Sequence, residues 1–212
     1  MYGLVLEGGG GRGAYQIGAC KAIEEMGFEI SMVAGTSVGA LNGAMVVQGE
    51  IEKAYEIWYD LNPQTIIKFT KDELSGYSDS GFSPEALRVF VKRLKRIISE
   101  GGLNVEPLEN LVKSVLDEDR IRKSPIGFGV VTVDLTRRRA MEIYKEDIPY
   151  GYLADYVIAS ASFPVFKRTI INGRAFIDGA LYNSLPINMV SSLGYKDIIV
   201  LRTYGIGMKR RI

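Results

Sequence analysis

The stretch Gly35-Thr36-Ser37-Val38-Gly39 sets the tightest limit on how this chain can fold. An apolar run from Ile30 to Ala34 precedes it, and small and apolar residues from Val38 to about Gln48 follow. A serine with glycine two residues before and two after, between a strand-like and a helix-like run, predicts a sharp strand-to-helix turn. At the flanking positions a side chain would collide with neighbouring backbone, and the central residue is held in a strained conformation. Such a turn lifts the serine hydroxyl out of the fold at the amino end of a helix, where developing negative charge is favoured. The competing reading is a turn serine that caps the next helix. In a chain with 24 glycines the pattern alone is weak, so its context has to decide.

The context begins at the amino terminus. Tyr2 to Leu6 is a short apolar run that ends in Glu7-Gly8-Gly9-Gly10-Gly11-Arg12-Gly13. Beyond it Tyr15, Gly18, Ala19, Ala22, Ile23 and Met26 recur at helical spacing, with Gln16, Lys21, Glu24 and Glu25 on the other side and Gly27 as the stop. Two strand-loop-helix units in succession imply a parallel sheet with right-handed crossovers. In such a sheet the site lies beyond the carboxyl ends of the strands, which is where both the glycine loop and Ser37 fall.

Composition narrows the chemistry. The 212 residues, 47% of them hydrophobic, suit a single α/β domain over 1–212. A net charge of +1 gives no reason to expect nucleic acid. The lone Cys20 leaves no internal disulfide framework and reads as a small buried residue. The chain contains no histidine. A serine acting as a nucleophile here must therefore use a base other than imidazole, and the usual histidine-bearing metal sites are excluded. With no leader-like segment after Met1 and no apolar run long enough to span a bilayer, the expectation is a cytoplasmic protein.

Further along, Ile51 to Leu61 reads as a helix and Asn62 to Gly81 as an irregular segment that could cap the site or form a mobile loop. Ser83-Pro84 opens another helix, to Gly101, with an apolar face and a basic one (Arg88, Lys92, Arg93, Lys95, Arg96). That basic face is either a contact for an anionic membrane or an ordinary solvated surface. Asn104 to Leu116 is a further helix, Pro125 to Asp134 a strongly apolar strand, and Arg139 to Tyr144 its partner. Gly151 to Ala161 reads as a helix that runs into Ser160-Ala-Ser-Phe-Pro164. Lys167 to Ile171 and Arg174 to Ile177 flank Asn172-Gly173, the strongest hairpin signal in the chain. Ile187 to Leu193 is a helix and Ile198 to Leu201 a last buried strand.

A serine hydroxyl attacks a carbonyl only when something takes its proton and something holds the oxyanion. The glycine loop, Gly8 to Gly13, can offer backbone amides at close range. Among the carboxylates, Asp178 is the best base, because it ends a strand-like arm and Gly179 after it permits a tight turn. A rival reading takes Gly8-x-Gly10-x-x-Gly13 as a dinucleotide fingerprint. That fingerprint expects an acidic residue at the end of the second strand, where this chain has Ala34-Gly35-Thr36-Ser37.

Glu7-Gly-Gly-Gly-Gly-Arg-Gly13, Gly35-Thr-Ser-Val-Gly39, Ala159-Ser-Ala-Ser-Phe-Pro164 and Asp178-Gly-Ala180 with Asn183 and Pro186 resemble, in order, the blocks of the patatin-like phospholipase family. The resemblance covers nearly the whole chain. It implies a three-layer α/β/α sandwich with a mostly parallel central sheet, and an acyl hydrolase that cleaves lipid esters through a Ser-Asp dyad with no metal and no cofactor. By this resemblance Ser37 matches the nucleophile, held in its elbow by Gly35 and Gly39, and Asp178 the base, supported by Gly179 and Ala180. Gly8, Gly9, Gly10, Gly11, Arg12 and Gly13 match the oxyanion loop.

Arg12 either orders that loop, meets a lipid phosphate or makes a surface ion pair. Asp134, Ser160 and Ser162 are expected to be structural, the two serines supporting the site. The chain departs from the pattern in having Glu7 at the head of the first block, and in stopping soon after Leu201, so that it is either cut short at its C-terminus or a small member. Two alternatives stay open: an esterase or thioesterase on soluble acyl compounds, and a non-catalytic phosphate or nucleotide binder.

Overall fold

The computed structural model describes residues 1–62, 66, 96, 99 and 101–205. In order come β1 (Tyr2–Leu6), α1 (Gly13–Glu25), β2 (Ile30–Thr36), α2 (Val38–Gln48) and α3 (Ile51–Asp60). They are followed by α4 (Glu106–Val115), α5 (Glu118–Lys123), β3 (Gly127–Asp134), β4 (Arg139–Tyr144) and α6 (Leu153–Ser160). The chain then forms β5 (Thr169–Ile171), β6 (Arg174–Asp178), α7 (Ile187–Ser191) and β7 (Ile198–Leu201). The irregular segment 62–81 and the helix expected from Ser83 to Gly101 lie outside the described residues, apart from the single positions named above.

Among the described residues seven strands form one sheet in the order β5-β6-β3-β2-β1-β7, with β4 also on β3. β1 pairs in parallel with β2 and β7, and β2 with β3. The β3–β4, β3–β6 and β5–β6 pairs are antiparallel, so the expected parallel sheet carries an antiparallel flank.

Side chains of the central strands alternate between two buried faces. Leu4, Leu6, Val33, Phe128 and Val130 point into the larger cluster, which α2 and α6 help to fill. Val5, Met32, Ala34 and Val131 point into a smaller cluster under Met189 and Val190 of α7. Burial on both faces is why these strands read as unbroken apolar runs. The Asn172-Gly173 hairpin forms as expected, both residues adopting positive φ.

The register on β3 positions the site. β4 covers Gly129 to Asp134 along one edge of β3, which leaves the other edge to both β2 and β6. β2 runs in parallel up to the pair Thr36–Val131. β6 takes over at the very next residue, antiparallel, with Asp178 opposite Thr132. Two strands thus end head to head on a common neighbour, and the residue after Thr36 meets the last residue of β6.

Two expectations need correcting. In α1 the buried residues are Gly13, Gln16, Ile17, Cys20 and Ile23, while Tyr15 and Met26 are exposed. Gln16, assigned to the polar side, is fully buried because its Nε2 donates to the carbonyls of Glu7 and Leu201. A buried amide with its hydrogen bonds made costs little. Cys20 is buried as expected, and burial pushes its thiol up to about 12.

The second correction is α5, a helix that the sequence reading did not include. Asp117 caps it by accepting from the Arg120 amide at 3.0 Å. Lys145, itself buried, donates to the carbonyls of Ile121, Ser124 and Ile126 at its far end. Asp134 is structural as expected. Burial alone would raise its carboxyl, but the Arg174 guanidinium and the Arg137 amide outweigh that and hold it below the usual range.

Candidate active site

Ser37 sits between β2 and α2 with φ 57° and ψ −127°, a strained conformation for a residue with a side chain. Its neighbours hold it there. The Ser37 amide donates to Ser160 Oγ at 2.9 Å, and Thr36 Oγ1 donates to the Asn183 carbonyl at 2.8 Å. Ser160 belongs to α6, so the segment expected to support the site does touch it.

The Ser37 hydroxyl donates to Asp178 Oδ2 at 2.7 Å. The other carboxylate oxygen, Oδ1, accepts from the Ala180 amide at 2.7 Å, and the Asp178 amide donates to the Ser162 carbonyl at 2.9 Å. A carboxylate fixed at both ends in this way presents one oxygen to the hydroxyl in one orientation. Both residues are buried. Gly179, directly after Asp178, lies so close to β3 that a Cβ would sit 2.1 Å from the Val131 carbonyl oxygen. The arrangement gives the hydroxyl proton an acceptor in contact with it, which is the first requirement for a serine nucleophile.

The glycine loop passes directly over Ser37. A Cβ on Gly8 would come within 3.2 Å of both Ser37 Cβ and the Thr36 carbonyl oxygen. The loop amides divide into two sets. Gly8, expected among the oxyanion donors, already donates to the Ser184 carbonyl at 3.0 Å. Arg12 donates to the Gly9 carbonyl, and Gly13 to those of Gly10 and Gly11. The amides of Gly9, Gly10 and Gly11 are left as the loop's candidates to meet a ligand. Gly10 has φ 58°, a conformation glycine adopts at little cost.

Glu7 and Arg12 of the first motif block hold this loop together with residues outside the motifs, Thr203, Tyr204, Asn42, Gln16 and Trp58. The Glu7 carboxylate is buried and accepts from the Thr203 amide at 2.7 Å and the Tyr204 amide at 3.3 Å. Thr203 Oγ1 donates in turn to the Gly8 carbonyl at 2.7 Å. Arg12 lays its guanidinium over the Tyr204 ring, 4.3 Å from the centroid. On the other side Asn42 Nδ2 donates to the Gly13 carbonyl and to Gln16 Oε1, and Trp58 Nε1 donates to Asn42 Oδ1. For Asn42 the signal was a polar residue within the otherwise small and apolar run Val38 to Gln48.

Ser37, Asp178 and Gly8 to Gly11 form one end of a cavity of about 940 Å³. Away from that end its walls are mostly apolar: Leu41 and Met45 of α2, Ala54 and Ile57 of α3, Leu111 and Val115 of α4. Among the described residues no group of three or more histidine, cysteine, aspartate or glutamate side chains is placed to hold a metal ion. Among them, too, no helix is long and apolar enough to cross a membrane.

A family model described as patatin-like phospholipase matches residues 4–191. Among curated proteins, the chain is 28% identical over 210 residues to patatin-like phospholipase domain-containing protein 6 of Homo sapiens. It is 26% identical over 208 residues to patatin-like phospholipase domain-containing protein 7 of Rattus norvegicus. Each alignment covers 93% of this chain and 13% of the relative, so the chain spans about an eighth of the length of these proteins. Among solved structures, VipD from Legionella pneumophila superposes with a TM-score of 0.60 at 19% identity, over 94% of this chain and 49% of that one. At that identity the likeness is one of fold.

Proposed function

Since this chain belongs to the patatin-like phospholipase family, we propose that it hydrolyses carboxylic esters of lipids, with Ser37 as nucleophile and Asp178 as base. The observation that carries this reading is the 2.7 Å hydrogen bond from Ser37 Oγ to Asp178 Oδ2 at the polar end of a mostly apolar cavity. Ser37 Oγ attacks the ester carbonyl carbon as its proton passes to Asp178 Oδ2. The tetrahedral oxyanion is held by the amides of Gly9, Gly10 and Gly11, each such donor contributing about 3 to 4 kcal/mol to the transition state. The alcohol leaves with the proton from Asp178, and the acyl group stays on Ser37. Water then gives its proton to the same carboxylate, attacks the acyl carbonyl, and releases the fatty acid and the serine hydroxyl.

The lining favours lipids over soluble esters. An acetate-sized acyl group would leave most of a 940 Å³ apolar space unfilled, whereas a long acyl chain exchanges water for apolar walls at about 0.8 kcal/mol per methylene. The same lining disfavours a nucleotide, whose charged and polar groups would find few partners there.

A fluorophosphonate probe tests the chemistry directly. Labelling is expected at Ser37, located by mass spectrometry of the labelled peptide, and absent in Ser37→Ala. A wild-type chain that resists the probe has no activated serine, and the hydrolase reading would fall to the binding module.

The cavity also makes a prediction about chain length. Ala54 is buried in the cavity wall beside Met45. Ala54→Leu is expected to lower kcat/KM for p-nitrophenyl palmitate about tenfold relative to the butyrate ester, at about 1 to 3 kcal/mol of stability from overpacking. Equal effects on both esters would place the acyl chain elsewhere.

A further inference from the structure

Two stretches of chain leave the Ser37–Asp178 contact and surface together. Phe163 follows Ser162, whose carbonyl holds the Asp178 amide. On the other side Asp178 leads through Gly179 and Ala180 to Leu181 and Tyr182. Phe163 and Leu181 both line the cavity, yet they are 52% and 53% exposed, and Tyr182 is 61% exposed. Large apolar side chains that face the cavity and water at once mark its opening. The first stretch is fixed in place. Leu103 donates its amide to the Val165 carbonyl at 2.8 Å and accepts from the Lys167 amide at 2.9 Å, while Phe163 packs edge-on against Phe166.

Two cations complete the surface. Lys167 and Arg168 are exposed and immediately precede β5. The antiparallel register of β5 on β6, with Thr169 opposite Phe176, puts them at the end of the sheet where β6 reaches Asp178. Exposed rings and a leucine beside two cations fit the boundary of an anionic bilayer, where aromatic and aliphatic groups enter the acyl edge and cations meet lipid phosphates. A freely diffusing substrate would call for neither feature on the outer rim.

We propose that Phe163, Leu181 and Tyr182, with Lys167 and Arg168, form a docking surface for an anionic lipid bilayer, onto which the cavity opens. The inference rests on the reading of the cavity as the lipid site, since a bilayer-facing mouth lets an acyl chain pass from membrane to Ser37 without crossing water. Tyr182, Lys167 and Arg168 stand outside the cavity wall, so docking and turnover are separable.

Vesicles of dialkyl, ether-linked phosphatidylcholine, with or without the ether-linked phosphatidylglycerol, resist ester cleavage, so sedimentation with them reads binding alone. The wild-type chain is expected to sediment with the phosphatidylglycerol vesicles. Lys167→Glu with Arg168→Glu is expected to weaken that binding at least about tenfold, the milder Lys167→Gln with Arg168→Gln less, and Tyr182→Ser should weaken binding to both kinds of vesicle. Each variant should hydrolyse p-nitrophenyl butyrate at the wild-type rate. A wild-type chain that stays in the supernatant, or variants that bind as well as wild type, would overturn the proposal. If no ester is turned over by any of the chains, the hydrolase reading falls, and the vesicle result still decides the docking surface.

Discussion

Asp178→Asn is expected to lower turnover of a long-chain p-nitrophenyl ester by about 10⁴-fold with little change in the urea midpoint. The carboxylate now uses Oδ1 for the Ala180 amide and Oδ2 for the Ser37 hydroxyl. An asparagine has one oxygen and one NH₂ group to offer in those places. With its oxygen turned to the Ala180 amide, the NH₂ faces Ser37 and donates to Oγ, so the hydroxyl has lost the acceptor for its proton. The shape and the backbone contacts survive, and the chemistry does not. Ser37→Ala should be as inactive, and the double variant no worse than either single one, because two groups that act as a unit are not additive. Independent, multiplying losses would mean that the two residues do not share a proton, and substantial turnover in Asp178→Asn would remove the aspartate from the mechanism.

The site was legible in the sequence to the extent that its parts are local. A glycine is demanded at fixed offsets from Ser37 and after Asp178 by the approach of a neighbouring backbone, and such demands leave a pattern within five residues. The hairpin at Asn172-Gly173 is legible for the same reason, since both residues need positive φ. What the sequence does not carry is the partner of a polar group when that partner is fixed only by sheet register.

Gln16 shows the difference. Its helical position suggested solvent, but β1 and β7 lie side by side, and this brings the carbonyls of Glu7 and Leu201 to its amide. Thr203 on the Gly8 carbonyl, across 195 positions of sequence, is a contact of the same kind. It also qualifies the glycine loop. Six loop residues matched one role, yet Gly8, Arg12 and Gly13 have their amides engaged within the fold, and only the register of Ser184 and the turn at 10–12 could reveal it. Helix α5 was a different omission. Its signals, Asp117 as cap, acids in the first turn and bases in the last, were in the sequence, in a helix too short to show periodicity.

Gly39→Ala is expected to cost at least about 3 kcal/mol of stability, although alanine is the better helix former. Gly39 lies in the first turn of α2, where a Cβ would fall 2.2 Å from the Leu6 carbonyl oxygen and 2.7 Å from its carbon. Those are backbone atoms at the end of β1, paired on both sides within the sheet, and they cannot rotate away. To admit a methyl group, α2 has to lift from β1. Because Ser37 starts α2 and Glu7 continues β1 into the glycine loop, the same movement separates the hydroxyl from the amides above it. Activity should therefore fall along with stability, and cooling should restore the fold without restoring the rate.

Two other glycines inside helices serve as controls. At Gly43 the nearest atoms are Val33 Cγ1 at 3.0 Å and Phe128 Cε2 at 3.2 Å, side chains that can give slightly, so Gly43→Ala should cost less than about 1.5 kcal/mol. At Gly18, on the exposed side of α1, nothing lies within 4 Å, and Gly18→Ala should stabilise the chain by about 0.5 to 1 kcal/mol. The order Gly18, Gly43, Gly39 in urea unfolding would show that the cost of one methyl group is set by the stiffness of what it strikes. A Gly39→Ala chain as stable as wild type would mean that α2 does not lie against β1 as closely as described, and the distances proposed for catalysis would fall with it.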